Sequence, residues 1–509
     1  MNYKAISKSI DIHRRLINIR HGVQRSYSSG QPKPFESIPG LSSVPVLGTL
    51  HHFLPVIGSI GSNLNLVQTF QVLNERYGSV VKMDGSFSKP SMLLLFEPEL
   101  YEQVFRAEES NPIRPGLEAL AYYREQLRKS TLKGVTGLTA SQGDSWRSFR
   151  TKVNPALLKI KLLKLYAPAL EEISKEMVDR LIRLHREGDY LKENFDREVI
   201  NWALESVAFI GMDTRLDCLT DKLGPDNPSK KLMKCATDIL DLSFSLETLP
   251  TTMWKKYPTK TLKKLVEAFD LQWQISSQYV EEAEKRINER GYDVPEEEKT
   301  IVERLLAVDK TVAIMMATEM LLAGVDTVSF TLISLLYDLA MNPEKQEKLR
   351  EGLFAEKPSK RYLRACMKES LRLSPVVAIN VRRTGKEHVV AGYHVPKGID
   401  VIAPNEILTN SDKFFPRAKE FLPERWLVDK SDPLYYGNAH PMTSSPFGFG
   451  IRSCIGRRIA ELEIETFVEK LLRSIKVKWE GPPLEVTTRI MKVHIKPFGF
   501  KFEVIPNRI

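Results

Sequence analysis

The pattern of apolar and polar positions divides the chain unevenly. Leu64–Tyr77 and Pro98–Glu108 read as helices, and the apolar-rich runs Ser79–Met83 and Ser91–Phe96 between them flank a Gly/Ser turn and predict a hairpin. Long helical stretches broken by loops then run to about Leu371, the longest and most apolar between Val312 and Ala340. Strand patterns return around 388–403 and in the last third, ending at Gly499–Glu503, with a helical run from Arg457 to about Ser474. Gln31–Pro55 is rich in Pro, Gly and Ser and predicts an irregular lead-in. There is no internal repeat and no low-complexity tract. The expected fold class is mainly α, with small peripheral β-sheets.

Composition adds limits. With 42% hydrophobic and 27% charged residues the chain is of ordinary globular type. Its four cysteines, 218, 235, 366 and 454, form no C-x-x-C pair and no cluster with histidine, so zinc spacing is absent and a reducing compartment fits. The net charge is +10, and half of it comes from residues 1–30, where Lys4, Lys8, Arg14, Arg15, Arg20 and Arg25 face the single acid Asp11. The remaining excess is too modest for nucleic acid, and no zinc finger or basic region is present. Ile6, Ile10, His13 and Ile17 recur at helical spacing opposite the basic positions. Such a segment is either a mitochondrial transit peptide or a disordered basic tail. Arg25-Ser-Tyr27 resembles a matrix-protease site, which gives residues 1–27 as the presequence. No apolar run of ~18 residues for a membrane span is expected anywhere.

Four local patterns carry chemistry. Phe447-Gly-Phe-Gly-Ile-Arg-Ser-Cys454-Ile-Gly456 is a Gly-rich turn before a helix. Gly448, Gly450 and Gly456 supply permissive dihedrals, backbone N–H groups at the helix start hold the sulfur as an anion, and Arg452 is placed to hold a carboxylate. The same glycines also suit an ordinary buried cysteine. Trp146 and Arg150 share a helix face, and Asp144 or Ser145 is placed to cap that helix. Within Met320–Ser329, Ala323 and Gly324 remove bulk, Asp326 stands among Leu, Met and Val, and Thr327 follows one turn on from Ala323. A kinked core helix with a back-bonded threonine would read alike. Glu369 and Arg372 stand at i,i+3, a reachable ion pair that at other sites is a surface contact.

Together the motifs resemble those of the cytochrome P450 family. F-x-x-G-x-R-x-C-x-G matches the haem-binding loop at Phe447, Gly450, Arg452, Cys454 and Gly456, and A-G-x-D-T matches the oxygen-binding helix at Ala323, Gly324, Asp326 and Thr327. Phe421-Leu-Pro-Glu-Arg425-Trp resembles P-E-R-F, with Trp426 in place of Phe. The resemblance implies the cytochrome P450 fold around a buried haem b, with Cys454 as iron ligand. Trp146, Arg150, Arg382 and Arg452 would meet the haem propionates. Asp326 and Thr327 would relay protons for oxygen activation, with Ser329 supplying the hydroxyl that Val328 lacks. Glu369, Arg372 and Arg425 would form a buried triad below the haem. Similarity is nearest to arthropod mitochondrial members, in which matching cations dock an acidic iron–sulfur ferredoxin. Arg364, Lys368, Arg457 and Arg458 are the positions concerned, and the other reading is a solvated charged face. No G-x-G-x-x-G unit for flavin or nicotinamide is present, so electrons come from outside.

The implied activity is monooxygenation of a lipophilic substrate, steroid-like or xenobiotic. Residues 28–60 lead into one domain at 61–509, peripheral to the matrix side of the inner membrane. Asn111–Gly143, Leu242–Met253, the helix near Ala323 and the residues after Pro375 are expected to contact substrate. The rivals are a haem-thiolate isomerase or dehydratase and a non-catalytic haem-binding relative. The short 349–361 connection, with most of a helical segment lost, supports the last.

Overall fold

The computed structural model describes residues 31–505 apart from 56–57, 62–63, 88, 109, 160, 225, 292–293 and 489–490. The expected presequence, residues 1–27, lies outside the described residues. Helix α1 (Leu66–Tyr77) starts with a capping box in which Asn65 and Gln68 satisfy each other's backbone N–H. It leads into β1 (Val80–Met83) and β2 (Met92–Leu95), the expected hairpin, and then α2 (Pro98–Ala107), with Pro98 in its first turn.

A helical body follows. It contains α3 (Glu118–Tyr122), α4 (Gly143–Leu157), α5 (Lys161–Arg186), α6 (Tyr190–Met212), α7 (Pro228–Glu247) and α8 (Lys260–Arg290). It continues through α9 (Ile301–Leu306), α10 (Lys310–Met341), α11 (Pro343–Phe354) and α12 (Arg361–Leu373). Strands β3 (Asn380–Arg383), β4 (His388–Val390), β5 (Tyr393–Val395) and β6 (Asp400–Ala403) precede α13 (Asn405–Thr409). Helix α14 (Arg457–Ser474) then leads to β7 (Ile475–Trp479), β8 (Val486–Thr488), β9 (Lys492–His494) and β10 (Phe500–Val504).

One four-stranded sheet runs β1-β2-β6-β3, with β2 and β6 parallel and Leu93 opposite Val401. The remaining sheets are two-stranded, β7 with β10, β4 with β5, and β8 with β9. The lead-in joins this side of the molecule. Phe35, Ile38 and Leu41 are buried with the four-stranded sheet, and Lys33 and Gly40 bridge to Tyr393 and Lys82, so packing begins well before residue 61.

Helix α10 is the axis of the larger core. By length and composition it can cross a membrane, which corrects the expectation that no segment would. Scattered Thr, Ser, Glu and Asp interrupt its apolar runs and hid its mean hydropathy. Two-thirds of its most apolar window is buried against the rest of the fold, the position of a core helix. The short connection after α11 is closed tightly. Leu349 and Leu353 are fully buried, α11 runs on to Phe354, and Ser359 N–H donates to Gly352 at 3.1 Å.

Candidate active site

The loop before α14 turns sharply. Gly448 and Gly450 adopt φ of +74° and +65°, which side chains with a Cβ disfavour. The turn brings Cys454 N–H onto the Phe447 carbonyl at 2.8 Å. Gly456 is different. Its φ of −85° is open to any residue, so conformational freedom does not explain it, and a Cβ there would meet open space. The Cys454 side chain is exposed by surface area, while burial still raises its thiol pKa. Both hold because the sulfur is reachable by solvent while the protein packed around it limits how well an anion would be solvated. The Gly456 and Arg457 N–H groups and the charges of Arg150 and Arg114 pull the pKa down. Those N–H groups favour the anion as expected from the sequence, and desolvation by the surrounding protein outweighs them. An iron ion bound there would deprotonate the sulfur outright.

Around the loop stands a knot of cations. Arg452 is buried, lies over the Trp146 ring at 4.1 Å, and donates to Ser141 O and Gln142 Oε1 at 2.7 and 2.6 Å. Burial lowers its pKa to about 9, helped by repulsion from Arg114, Arg382 and Arg150. Arg150 donates to Ser453 O at 3.1 Å, and its buried Nε has no partner. Arg382 is buried over the Phe105 ring and donates to Phe449 O at 3.3 Å. Arg114 was missed in the sequence. Its Nη2 donates to Thr139 O at 3.0 Å, burial lowers its pKa, and it feels the charges of Glu319 and Cys454 together. The one signal was an arginine held between Pro112 and Pro115. Four gathered guanidiniums, one with an orphaned N–H, next to a lone thiol donor fit the acidic edge and the iron of a haem.

Helix α4 starts at Gly143 with Gln142 as its cap position and no side-chain cap. Neither Asp144 nor Ser145 caps it. Asp144 accepts from Asn111 at 3.3 Å, and Ser145 bonds Thr136 at 2.8 Å. On α10, Ala323 is exposed amid buried neighbours, as expected of a wall facing a ligand. Gly324 faces elsewhere. A Cβ there would stand 2.9 Å from Val207 Cγ2 on α6, so its lost bulk serves helix packing. Asp326 is half-buried, and desolvation pushes its carboxyl to about 6, offset by its own backbone N–H. Thr327 Oγ1 donates to Ala323 O at 2.6 Å, the back-bonded arrangement. Ser329 is buried with its hydroxyl on Val325 O at 2.8 Å, so it does not replace the hydroxyl lacking at Val328.

Glu369, Arg372 and Arg425 are fully buried together. Arg372 grips Glu369 with bonds of 2.9 and 2.7 Å, and Arg425 Nε reaches it at 3.0 Å. Trp426 joins them, its indole N–H donating to Glu369 Oε2 at 3.0 Å, a bond that Phe could not make. The cations expected at the docking face are less free than their sequence implied. Arg364 is bidentate on Glu465 (2.7 and 3.1 Å), Arg457 pairs with Glu461 at 2.9 Å, and Arg458 donates to Leu158 O at 2.9 Å. Lys368 is exposed over the Trp426 ring.

A cysteine loop set in a cationic knot, together with a buried helix that carries an Asp–Thr pair, is the residue set of a haem-thiolate enzyme. The profile described as Cytochrome P450 matches residues 39–502, and the chain belongs to that family of monooxygenases. Similar relatives include Cytochrome P450 CYP12A2 of Musca domestica, 38% identical over 94% of this chain and 92% of its own. The probable cytochrome P450 12b2, mitochondrial, of Drosophila melanogaster is also 38% identical, over 93% and 90%. The probable cytochrome P450 49a1 of the same fly is 34% identical over 92% and 82%. Membership implies a haem-iron cofactor.

Proposed function

We propose that the chain is a mitochondrial, ferredoxin-driven monooxygenase acting on a lipophilic substrate, steroid-like or xenobiotic. The observation that carries this is the Cys454 loop, a single sulfur donor set under the arginine knot. Haem b, when bound, supplies dioxygen activation. Cys454 holds the iron, while Arg114, Arg150, Arg382 and Arg452 neutralise the propionates, with Trp146 packed under Arg452. Ala323 leaves room beside α10. The Asp326 carboxyl, poised near neutrality, and the Thr327 hydroxyl would hold and move protons at their own oxygens on α10.

Relatives named mitochondrial support that compartment, and the basic segment at residues 1–27 supports import to the matrix side. Exposed Val46, Leu47 and Phe87, joined by a Phe87 N–H bond to Val46 O, form one apolar tip. Lys89 donates to Glu247 O and ties this tip to the segment carrying exposed Leu249, Met253 and Tyr257. With Lys255 and Lys256 alongside, this surface suits peripheral contact with the inner membrane.

The test is the spectrum of purified, reduced, carbon-monoxide-bound protein. A strongly red-shifted Soret band is expected, and Cys454→Ser is expected to abolish it. Wild-type protein that bound no haem would overturn the proposal.

A further inference from the structure

Glu319 lies on α10, one turn before Ala323, and is buried with only 4% of its surface accessible. A charge there must be compensated. Arg124, equally buried, pairs with Glu319 Oε1 and also donates to Thr136 O at 3.0 Å. The other carboxylate oxygen accepts the Thr139 N–H at 3.1 Å and the Thr139 hydroxyl. Between them, Gly137 adopts φ +79°, and a Cβ at that position would collide with Glu319 Oε1 and the Arg124 guanidinium. One carboxylate therefore fixes one edge of the 136–142 strip.

The opposite edge of the strip belongs to the cysteine loop. Arg452 donates to Leu138 O, Ser141 O and Gln142 Oε1, and Arg114 donates to Thr139 O and, through its backbone, to Gln142 Oε1. The strip thus joins α10 to two of the four arginines. Among the described residues, no carboxylate bonds the strip from the Arg114–Arg452 side.

We infer that Glu319 is a positioning residue for the cofactor. Through its pair with Arg124 and its bonds to Thr139, it fixes the 136–142 strip and thereby the reach of Arg114 and Arg452 toward the haem carboxylates. The inference rests on the haem reading above. Removing the charge leaves Arg124 buried and unpaired, releases Thr139, and lets both arginines drift from their anions.

The test uses purified full-length holoenzyme and two readouts besides turnover, haem transfer to apomyoglobin and hydrogen exchange followed by mass spectrometry. Glu319→Gln is expected to release haem about tenfold faster, with exchange accelerated in 136–142 and unchanged in α14 and β7. Arg124→Gln is expected to behave alike, and it carries the test if Glu319→Gln does not fold. Arg124→Lys, which keeps the charge pair, is expected to restore slow release. Wild-type release rates in both neutral variants would overturn the inference. So would exchange that rises uniformly along the chain, since that is general destabilisation. Wild-type protein devoid of haem would instead defeat the haem reading, and exchange in the strip would still decide the role of Glu319.

Discussion

Asp326 and Thr327 are adjacent in sequence and differ in what restrains them. The carboxyl has only its own backbone N–H against desolvation, and its pKa of about 6 lets it give and take a proton near neutrality. The hydroxyl donates to Ala323 O at 2.6 Å, which leaves its lone pairs to accept from a neighbouring donor. Thr327→Ala removes that acceptor and little volume, so haem binding is expected to persist. Reducing equivalents should then leave as hydrogen peroxide, and product per NADPH oxidised should fall several-fold. Equal coupling in the variant and wild type would remove Thr327 from the proton path. The sequence pointed to this pair because an acid inside an apolar helix is costly without a task. It could not show that Gly324 turns toward Val207 or that Ser329 turns toward Val325 O, because those depend on where α6 packs.

At the scale of elements, α1, α10 and α14 were located to within a few residues because apolar positions recur along each of them, although α10 is buried on nearly every side rather than along one stripe. Caps and charge pairs that cross between elements were harder to read. Glu463 on α14 shows why. It looks like one more acid of an amphipathic helix, yet it is buried, and neither carboxylate oxygen has a hydrogen-bond partner. Desolvation alone pushes its pKa to about 8. A carboxyl raised in the folded state costs nothing below its unfolded pKa of about 4.5, and stability is lost as pH rises through about 8. Wild-type stability in urea is therefore expected to drop between pH 5 and pH 9. Glu463→Met, close in volume and without a charge, should flatten that slope and gain at least ~2 kcal/mol at pH 9 while differing little at pH 5. Parallel profiles for the two proteins would mean that Glu463 ionises freely or is held by a partner such as water.

For the whole molecule, the basic excess outside the first thirty residues was legible, but its availability was not. Arg457 pairs with Glu461 four residues on, which helical spacing allows one to anticipate. Arg364 pairs with Glu465, which stands 101 positions away, a partner that only the folded chain brings within reach. Lys368 is exposed and lies over the Trp426 ring rather than on a carboxylate, which leaves its charge available to an approaching partner. The proposed ferredoxin is acidic, and attraction across a partly screened surface acts mainly on association rate. Lys368→Glu is accordingly expected to lower kcat/KM for ferredoxin by about tenfold at low salt, with kcat at saturating ferredoxin close to wild type. Arg457→Glu should act more weakly, because it exchanges a locally paired charge. The difference between variant and wild type should shrink as ionic strength rises and the Debye length falls to about 8 Å. Turnover titrations with reconstituted ferredoxin and its reductase at two salt concentrations measure this. Equal kcat/KM for Lys368→Glu and wild type at low salt would place electron entry on another face.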